Sequence, residues 1–360
     1  MKKTLVVLGT RPEAVKLCPL IIELKRRKIK TVVCSTGQHR ELLDGVLEFF
    51  GVKPDYDLRV MTASQTPPDV ASRVISGVTG VIAKEKPDIA VVQGDTSTAF
   101  AAACACFYAG VPLAHVEAGL RSGTIGLPFP EEFNRRVISL SAAWHFCPTP
   151  AARNNLIAEG SDPAHCFVTG NTGLDAFSFT DTAPAPYSPP PAAADKKLIY
   201  LTCHRRENRG EIQRKMLLAV KDLLDKRRDA FAVVPSHPDP GSDMITREVF
   251  AGSAFSDVTP PLDLVSSHRL IRTADLCATD SGGLQEECAF AGLYCIVLRD
   301  VTERGEGTGA GLARLCGTDP EKVAAVLNEA LDSCPLRFAP SSIYGDGHAS
   351  ERIADIIEKI

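Results

Sequence analysis

Short runs of β-branched and apolar residues alternate along the chain with longer segments in which apolar residues recur at helical spacing. In the first half, runs typical of buried strands cover residues 5–8, 31–35, 89–93 and 113–117. The segments between them that have the period of an amphipathic helix are 19–28, 40–50 and 70–85. Strand–helix alternation of this kind predicts a mostly parallel, doubly wound sheet.

The same alternation starts again in the second half of the chain. Apolar runs that predict a second set of strands lie at 198–202, 230–235, 275–279 and 294–298. We therefore predict an α/β fold with two Rossmann-like domains, formed by residues 1–175 and 196–344. The stretch 176–195 contains five prolines. It is predicted to be a linker, because proline-rich segments are extended and poor at joining sheets.

The length of 360 residues suits two domains, and the composition narrows the classes of function. Lys and Arg number 40 and Asp and Glu 44, so the net charge is −4, without the basic excess that sequence-independent nucleic-acid binding needs. No apolar stretch is long enough to span a bilayer, and Met1-Lys2-Lys3 leads directly into a predicted strand rather than a signal peptide. We therefore expect a cytoplasmic protein that binds neither nucleic acid nor membrane.

The twelve cysteines do not form a recognisable metal or disulfide motif. There is no C-x-x-C pair, the nearest neighbours are Cys104 and Cys106, and several others lie inside apolar runs. We therefore expect buried, reduced thiols that pack as small hydrophobic groups, and no metal site.

Polar clusters follow the predicted strands, which is where ligands of open α/β sheets bind. In the first half these clusters lie at 9–16, 93–98, 115–122 and 128–136. Arg11 offers a forked donor to phosphate beside a predicted helix start. Glu117 is a carboxylate at a buried strand end, which favours an ion-paired or functional role. On position alone, Asp95 is compatible with a helix cap and Glu131 with favourable charge at a helix start.

The corresponding clusters of the second half lie at 201–208, 236–238, 279–287 and 299–304. Ser281-Gly282-Gly283, between a predicted strand and a predicted helix, can present several backbone N–H groups to a diphosphate. Glu287 follows on the same helix, where it can accept hydrogen bonds from ribose hydroxyls. One half of the chain is thus rich in carboxylates and the other in phosphate ligands.

Ten ordered motifs resemble those of the non-hydrolysing UDP-N-acetylglucosamine 2-epimerases. They are GTRPEAVK, TGQHRELLD, GDTST, HVEAGLRSG, PFPEEFNRR, VTGNTGLDA, HRRENRG, DSGGLQEE, RDVTER and YGDGHASERI, and they extend from Gly9 to Ile353. The resemblance implies the GT-B glycosyltransferase-like fold, in which two Rossmann-like domains face a cleft that holds the nucleotide. It also implies that the last helix, about 345–360, returns to the first domain, and that the protein is a homodimer.

The activity implied by the resemblance is reversible conversion of UDP-GlcNAc to UDP-ManNAc, which would supply ManNAc for surface polysaccharides. In that family UDP is eliminated to leave a 2-acetamidoglucal and then adds back, so no cofactor is needed. The C2 proton requires an acid and a base, and carboxylates with a raised pKa suit this work. By motif, Asp95, Glu117 and Glu131 resemble these carboxylates, Lys16 resembles the residue that supports them, and His204 is assigned to the same catalytic set. Which carboxylate removes the C2 proton stays open.

The resemblance also assigns binding residues. Those carried over for the UDP-sugar are Arg11, Lys16, His204, Ser281, Gly282, Gly283, Glu287 and Arg304. Many members bind a second, activating UDP-GlcNAc, and the matching positions are Gln38, Arg73, Arg205 and His237. The chain departs from the family pattern at Glu41, where such members often carry glutamine, and at Gly305, where proline is usual.

Several alternatives fit the same pattern. A hydrolysing relative would release ManNAc and UDP, although GTRPEAVK and the PFPEEFNRR motif favour the non-hydrolysing branch. A 2-epimerase of a modified UDP-sugar, a GT-B glycosyltransferase with an acceptor pocket, and a catalytically silent nucleotide-sugar-binding protein are the others.

Overall fold

The computed structural model describes residues 2–37, 40–61 and 66–360, and for residues 40–42 it describes the backbone alone. Two compact units are present. The first comprises the chain up to Phe179 together with Gly345–Ile360, and the second comprises Thr180–Tyr344. Each unit is an α/β structure with its own sheet and its own apolar core.

The described part of the first unit contains a parallel sheet of seven strands in the order β3-β2-β1-β4-β5-β6-β7. Its strands are β1 (Lys3–Leu8), β2 (Lys30–Ser35), β3 (Tyr56–Asp57), β4 (Ile89–Gln93), β5 (Leu113–Val116), β6 (Trp144–Cys147) and β7 (Cys166–Val168). Its helices are α1 (Arg11–Arg26), α2 (Arg40–Phe49), α3 (Pro67–Glu85), α4 (Ser97–Tyr108), α5 (Glu131–Ser141), α6 (Pro150–Ala158) and α7 (Phe177–Thr180), whose last residue belongs to the second unit.

Helix α1 begins at Arg11, so the helix predicted from residue 19 is too short at its start. The Thr10 side chain accepts a hydrogen bond from the Glu13 N–H, and the Glu13 carboxylate accepts one from the Thr10 N–H. This reciprocal cap satisfies two N–H groups at the helix start, which allows the helix to begin directly after β1. Pro19 lies inside the helix rather than at its beginning.

The second unit has a parallel sheet of six strands in the order β10-β9-β8-β11-β12-β13. These are β8 (Lys197–Thr202), β9 (Ala230–Pro235), β10 (Ser256–Thr259), β11 (Leu276–Thr279), β12 (Cys295–Val297) and β13 (Ala313–Leu315). The accompanying helices are α8 (Glu211–Arg227), α9 (Pro240–Phe250), α10 (Leu264–Thr273), α11 (Gly282–Ala291), α12 (Gly305–Gly309) and α13 (Pro320–Asp332).

The proline-rich stretch 176–195 is not a detached linker. From Thr180 onward it belongs to the second unit, where the Tyr187 hydroxyl donates to Asp257 over 2.8 Å and the Tyr187 N–H donates to Ser266 Oγ over 3.1 Å. Asp181 also accepts from Arg272 at 2.9 Å. These contacts hold the stretch against β10 and α10, and composition alone does not reveal them.

The last helix, α14 (Ala349–Lys359), belongs to the first unit. The buried Asp175 carboxylate accepts hydrogen bonds from the N–H groups of Ala349 and Ser350 and so caps the start of α14. Arg27, at the end of α1, forms ion pairs with Asp355 and Glu358.

All twelve cysteines lie in the described ranges and are free thiols, ten of them buried. Cys104 and Cys334 are half-buried rather than buried. Among the described residues, no helix has the length and apolar character needed to cross a membrane.

Candidate active site

The loop after β1 is organised by the Glu13 side chain, which is completely buried. Its Oε2 accepts from the N–H groups of Gly9 and Thr10 at 2.9 and 2.7 Å, and its Oε1 accepts from the Thr96 hydroxyl at 2.7 Å. Burial raises the pKa of Glu13, and these hydrogen bonds oppose the rise. Glu13 therefore ties the loop after β1 to the residue that follows Asp95.

Gly9 is required by the space around this loop. A Cβ atom at residue 9 would lie 2.0 Å from Thr36 Oγ1 and 2.5 Å from Thr98 Oγ1, and those two hydroxyls are hydrogen-bonded to each other. Only glycine lets the backbone approach the neighbouring elements this closely.

Glu117 follows β5 directly and has a φ of 65°, which is the left-handed region that non-glycine residues rarely adopt. Its carboxylate is buried, forms an ion pair with Lys16 of α1 and accepts from Gln93 Nε2 at 3.1 Å. Such a backbone conformation persists only where the surroundings enforce it, and these residues cluster at functional sites. The structure thus brings Lys16 and Glu117, both assigned to catalysis from the sequence, into direct contact.

Asp95 lies at the end of the neighbouring strand β4, one residue beyond Gly94. Its Oδ2 accepts a hydrogen bond from Nε of Arg135 of α5 at 2.8 Å and lies 2.7 Å from Nη2 of the same guanidinium group, which makes an ion pair. Asn134 of the same helix donates to the Asp95 carbonyl at 2.8 Å. These contacts hold Asp95 in place. Because its side chain remains 21% exposed, it is still accessible to a ligand.

Glu131 is the first residue of α5 and is half-buried. The helix that starts with Glu131 also supplies Asn134 and Arg135, so the position of Glu131 is linked to that of Asp95. Arg11 is the first residue of α1 and is half-buried. In the first unit, the predicted residues therefore lie in the loops and helix starts that follow the carboxyl ends of β1, β4 and β5.

His115 supports the turn before Asp95, because its Nε2 donates to the Gly94 carbonyl over 2.7 Å. His115 and His145 are paired across β5 and β6, and both are buried. Burial lowers the pKa of His115 to about 3 and that of His145 to about 4. Both imidazoles are therefore neutral in the folded protein, and the resulting tautomer of His115 can donate to Gly94.

The stability of the first unit should fall as the pH is lowered from 6.5 to 5. The histidines of the unfolded chain have a pKa near 6.5, whereas His115 and His145 in the native protein have pKa values of about 3 and 4. As the pH falls below 6.5, protons therefore bind to the unfolded chain but not to the native one, and the free energy of unfolding decreases. By pH 5 the loss is about 2 kcal/mol for each histidine. Unfolding by guanidinium, followed by the fluorescence of the single tryptophan, Trp144, measures it.

His145→Gln should remove about half of this pH dependence, whereas His348→Gln, at an exposed position of the same unit, should leave it unchanged. Equal slopes in the wild type and His145→Gln would contradict the assignment.

In the second unit, the buried carboxylate of Asp280 organises the loop after β8. Its Oδ2 accepts from the N–H groups of His204 and Arg205, both at 2.8 Å, and from Asn208 Nδ2 at 3.0 Å. Because Asp280 directly precedes Ser281, it connects the loop that carries His204 to the start of α11. Asp280 is the first residue of the DSGGLQEE motif, but its role in this loop is not apparent from the sequence.

The rings of His204 and His237 stack with their centroids 4.8 Å apart. Burial, with smaller effects from nearby charges, lowers the pKa of His237 to about 4. A residue predicted for the substrate and one predicted for the activator are therefore in contact. Arg205, also assigned to the activator, forms ion pairs with Glu207 at 3.1 Å and Glu303 at 3.8 Å.

Arg304 lies against the N-terminus of α11. A Cβ atom at Gly282 would come within 2.5 Å of Arg304 Nη1, so the guanidinium group packs directly on the helix start. Arg304 is buried and its Nε donates to the buried Glu286 carboxylate at 2.9 Å. A guanidinium group beside the free N–H groups of a helix start is suited to binding a diphosphate. Its partner Glu286 lies in the DSGGLQEE motif but is not recognisable as a partner from the sequence.

Two further predicted positions are placed as follows. Glu287 is half-buried on α11, adjacent to Glu286. Arg73, on α3, donates from Nη1 to the Val60 carbonyl at 3.1 Å. Gln38 and the side chain of Glu41 lie outside the described residues.

Comparisons with known proteins extend over the whole chain. A family model described as UDP-N-acetylglucosamine 2-epimerase matches residues 22–358. The UDP-N-acetylglucosamine 2-epimerase of Bacillus subtilis (strain 168) is 40% identical over 359 residues, which are 98% of this chain and 94% of the relative.

Solved structures give the same result. The S. aureus MnaA–UDP structure has a TM-score of 0.94 and 40% identity, covering 100% of this chain and 96% of that one. The UDP-GlcNAc 2-epimerase of Neisseria meningitidis bound to UDP-GlcNAc has a TM-score of 0.92 and 35% identity, covering 99% of this chain and 100% of that one. The predicted fold class, two Rossmann-like α/β domains of the GT-B type, is confirmed.

Proposed function

The chain belongs to the UDP-N-acetylglucosamine 2-epimerase family, and from this premise we propose that it interconverts UDP-GlcNAc and UDP-ManNAc without hydrolysis. The observation that carries the proposal is the pairing of Glu117 with Lys16 beside Asp95, at adjacent strand ends of the first unit. Relatives bind UDP and UDP-GlcNAc, which are the ligands that the helix start of α11 and Arg304 suit by their chemistry.

The proposed reaction is balanced without a redox partner. A carboxylate removes the proton from C2 as the C1–O bond breaks, which releases UDP and leaves a 2-acetamidoglucal. A second acid returns a proton to the opposite face of C2, and UDP adds back to C1. The carbon skeleton is neither oxidised nor reduced, because the proton removed from C2 is replaced.

The structure supports a division of roles among the residues. Glu117 and Asp95 are the candidates for the acid and the base, and each is held by a cation, Lys16 or Arg135. We assign Glu131 to the same set because its helix positions Asp95.

The diphosphate would be bound by Ser281, Gly282, Gly283, His204, Arg304 and Arg11, and the ribose by Glu287. A diphosphate bound by N–H groups and guanidinium groups is a better leaving group, because these donors stabilise the charge that develops as the C1–O bond breaks.

We also propose that a second UDP-GlcNAc activates the enzyme through Arg73, Arg205 and His237. The stacking of His237 on His204 supports this proposal, since a ligand that moves one ring affects the other.

We further propose that the protein acts as a cytoplasmic homodimer that supplies ManNAc for surface polysaccharides.

Incubation with UDP-GlcNAc in deuterated water, followed by proton NMR, tests the proposed function. We expect deuterium at C2 and a mixture of UDP-GlcNAc and UDP-ManNAc, because reprotonation draws on solvent. Asp95→Asn should abolish the exchange and still bind UDP.

Two other outcomes would each reject the proposal. Free ManNAc with stoichiometric UDP would identify a hydrolysing enzyme. Binding of UDP-GlcNAc without exchange or product would identify a binding protein or an enzyme for a modified UDP-sugar.

A further inference from the structure

Three cysteines of the second unit, Cys277, Cys288 and Cys295, meet in its interior. Cys277 and Cys295 stand directly opposite each other on the parallel strands β11 and β12. Cys288 lies on α11, the helix that connects those strands. All three side chains are buried, and their sulfur atoms lie within 4.8 Å of one another. The chain connection β11–α11–β12 thus brings together thiols that are 11 and 7 residues apart in sequence.

The dimensions of this cluster suit a metal ion. For a metal–sulfur bond of about 2.3 Å, three sulfurs arranged around the ion in one plane are separated by about 4.0 Å. The observed upper limit of 4.8 Å exceeds this by less than one ångström. The difference is small compared with the distance that rotation of a cysteine side chain between rotamers moves its sulfur atom.

We propose that Cys277, Cys288 and Cys295 bind one thiophilic d¹⁰ metal ion, such as Zn²⁺ or Cu⁺. Three sulfur ligands favour soft ions over Mg²⁺ or Ca²⁺, which take oxygen ligands. Each cysteine that ligates as a thiolate releases its proton to solvent on binding. Among the described residues, no other group of three His, Cys, Asp or Glu side chains has ligand atoms this close together.

A metal ion bound at this site would fix the position of α11. Cys288 is adjacent to Glu287, and α11 starts with the glycines that lie beside Arg304. An ion that joins Cys288 to both strands fixes this helix against the sheet. The metal proposal itself does not depend on the proposed function, since its test measures metal content.

Because the cluster is fully buried, the ion must be bound during folding, so the experiment supplies it during synthesis. The full-length chain is produced in cells grown with added Zn²⁺ or Cd²⁺, purified without oxygen and washed with a chelator. We expect about one metal ion per chain by mass spectrometry, together with the ultraviolet charge-transfer absorption of cadmium thiolates.

Variants locate the site. Loss of even an outer-shell partner lowers metal affinity by about 10- to 100-fold, so Cys288→Ala or Cys295→Ala, which lose a ligand, should retain almost no metal. Cys316→Ala is the matched control, because Cys316 is buried in the same unit but belongs to the core cluster that contains Ile296. Ile296 is the neighbour of Cys295 on β12, so the two side chains point to opposite faces of the sheet. Cys316→Ala should retain the ion. Circular dichroism of metal-free samples establishes that each variant is folded, and Cys277→Ser replaces any variant that is not.

Two results would overturn the proposal. One is a metal content in the wild type no higher than in Cys288→Ala, which would leave three thiols that merely fill space. The other is a Cys277–Cys295 disulfide in the anaerobically purified protein, found by mass spectrometry after alkylation, since a disulfide removes two of the three ligands.

Discussion

Replacing Glu117 by glutamine is expected to lower kcat for UDP-GlcNAc epimerisation by about 10²- to 10⁴-fold, the range associated with losing a general acid or base. Glutamine keeps the length of the side chain and one acceptor oxygen but cannot exchange a proton at C2. Since all the proposed diphosphate ligands except Arg11 lie in the second unit, the affinity for UDP should change by less than about threefold. Steady-state kinetics and calorimetric titration with UDP measure the two effects separately.

Glu48→Gln is the matched control, because Glu48 is exposed on α2 of the same unit and should leave kcat unchanged. The variant Glu117→Gln also deprives Lys16 of a buried charge partner, so its unfolding must be followed through Trp144. A folded Glu117→Gln protein with the rate of the wild type would remove Glu117 from the chemistry. A rate restored by raising the pH would instead point to a role for Glu117 in controlling Lys16.

The second large effect concerns stability. Arg304→Met should lower the free energy of opening the α11 region by about 3–5 kcal/mol, because it removes a cation beside the buried carboxylates of Glu286 and Glu303. Global unfolding of a two-unit chain is not a two-state process. Hydrogen exchange of peptides covering Gly282–Ala291 therefore measures the opening of this region directly.

The double variant Arg304→Met/Glu286→Gln should recover part of this loss, since one buried charge is then removed together with its partner. Arg314→Met serves as the control, because the ion pair of Arg314 with Glu329 is exposed and worth about 1 kcal/mol or less. Equal protection of α11 in Arg304→Met and Arg314→Met would show that the buried pair contributes little.

The main strands could be predicted because parallel strands covered by helices on both faces are continuous apolar runs. The runs at 5–8, 31–35 and 89–93 correspond to the central strands β1, β2 and β4. The strands that escaped prediction are β3, β6, β7, β10 and β13, because each has only two to four residues and too short a pattern to be distinguished from a loop. The equally short strands β5, β11 and β12 were predicted because they lie within the longer runs 113–117, 275–279 and 294–298.

The candidate site was predictable where chemistry alone marks a residue. Glu117 stood out because a charged side chain directly after an apolar strand must have a partner. Asp95 was compatible with a helix cap on position alone, and only the family resemblance assigned it to catalysis. Glu13 and Asp280 were missed as organising residues, although both lie in the quoted motifs. Their role is to accept backbone N–H groups, and which N–H groups point at a carboxylate depends on loop conformations that spacing does not reveal.

The cluster of Cys277, Cys288 and Cys295 also could not be predicted from the spacing of residues in the sequence. Spacing rules for metal sites detect ligands that are close in sequence, such as C-x-x-C. Cys277 and Cys295 become neighbours only through the register between β11 and β12, and Cys288 joins them from the connecting helix. The absence of a sequence motif therefore does not exclude a cluster assembled by a parallel sheet.

The return of α14 to the first unit has a consequence for biosynthesis. Thr180–Tyr344 is one uninterrupted segment, so the second unit can complete its fold before α14 has been translated. The first unit, although its sheet is translated earlier, must wait until α14 has emerged from the exit tunnel to be capped by Asp175 and to pair with Arg27. The unit that carries Asp95 and Glu117 is thus translated first and completed later than the second unit, and a stop codon before α14 would harm the unit that was translated earlier.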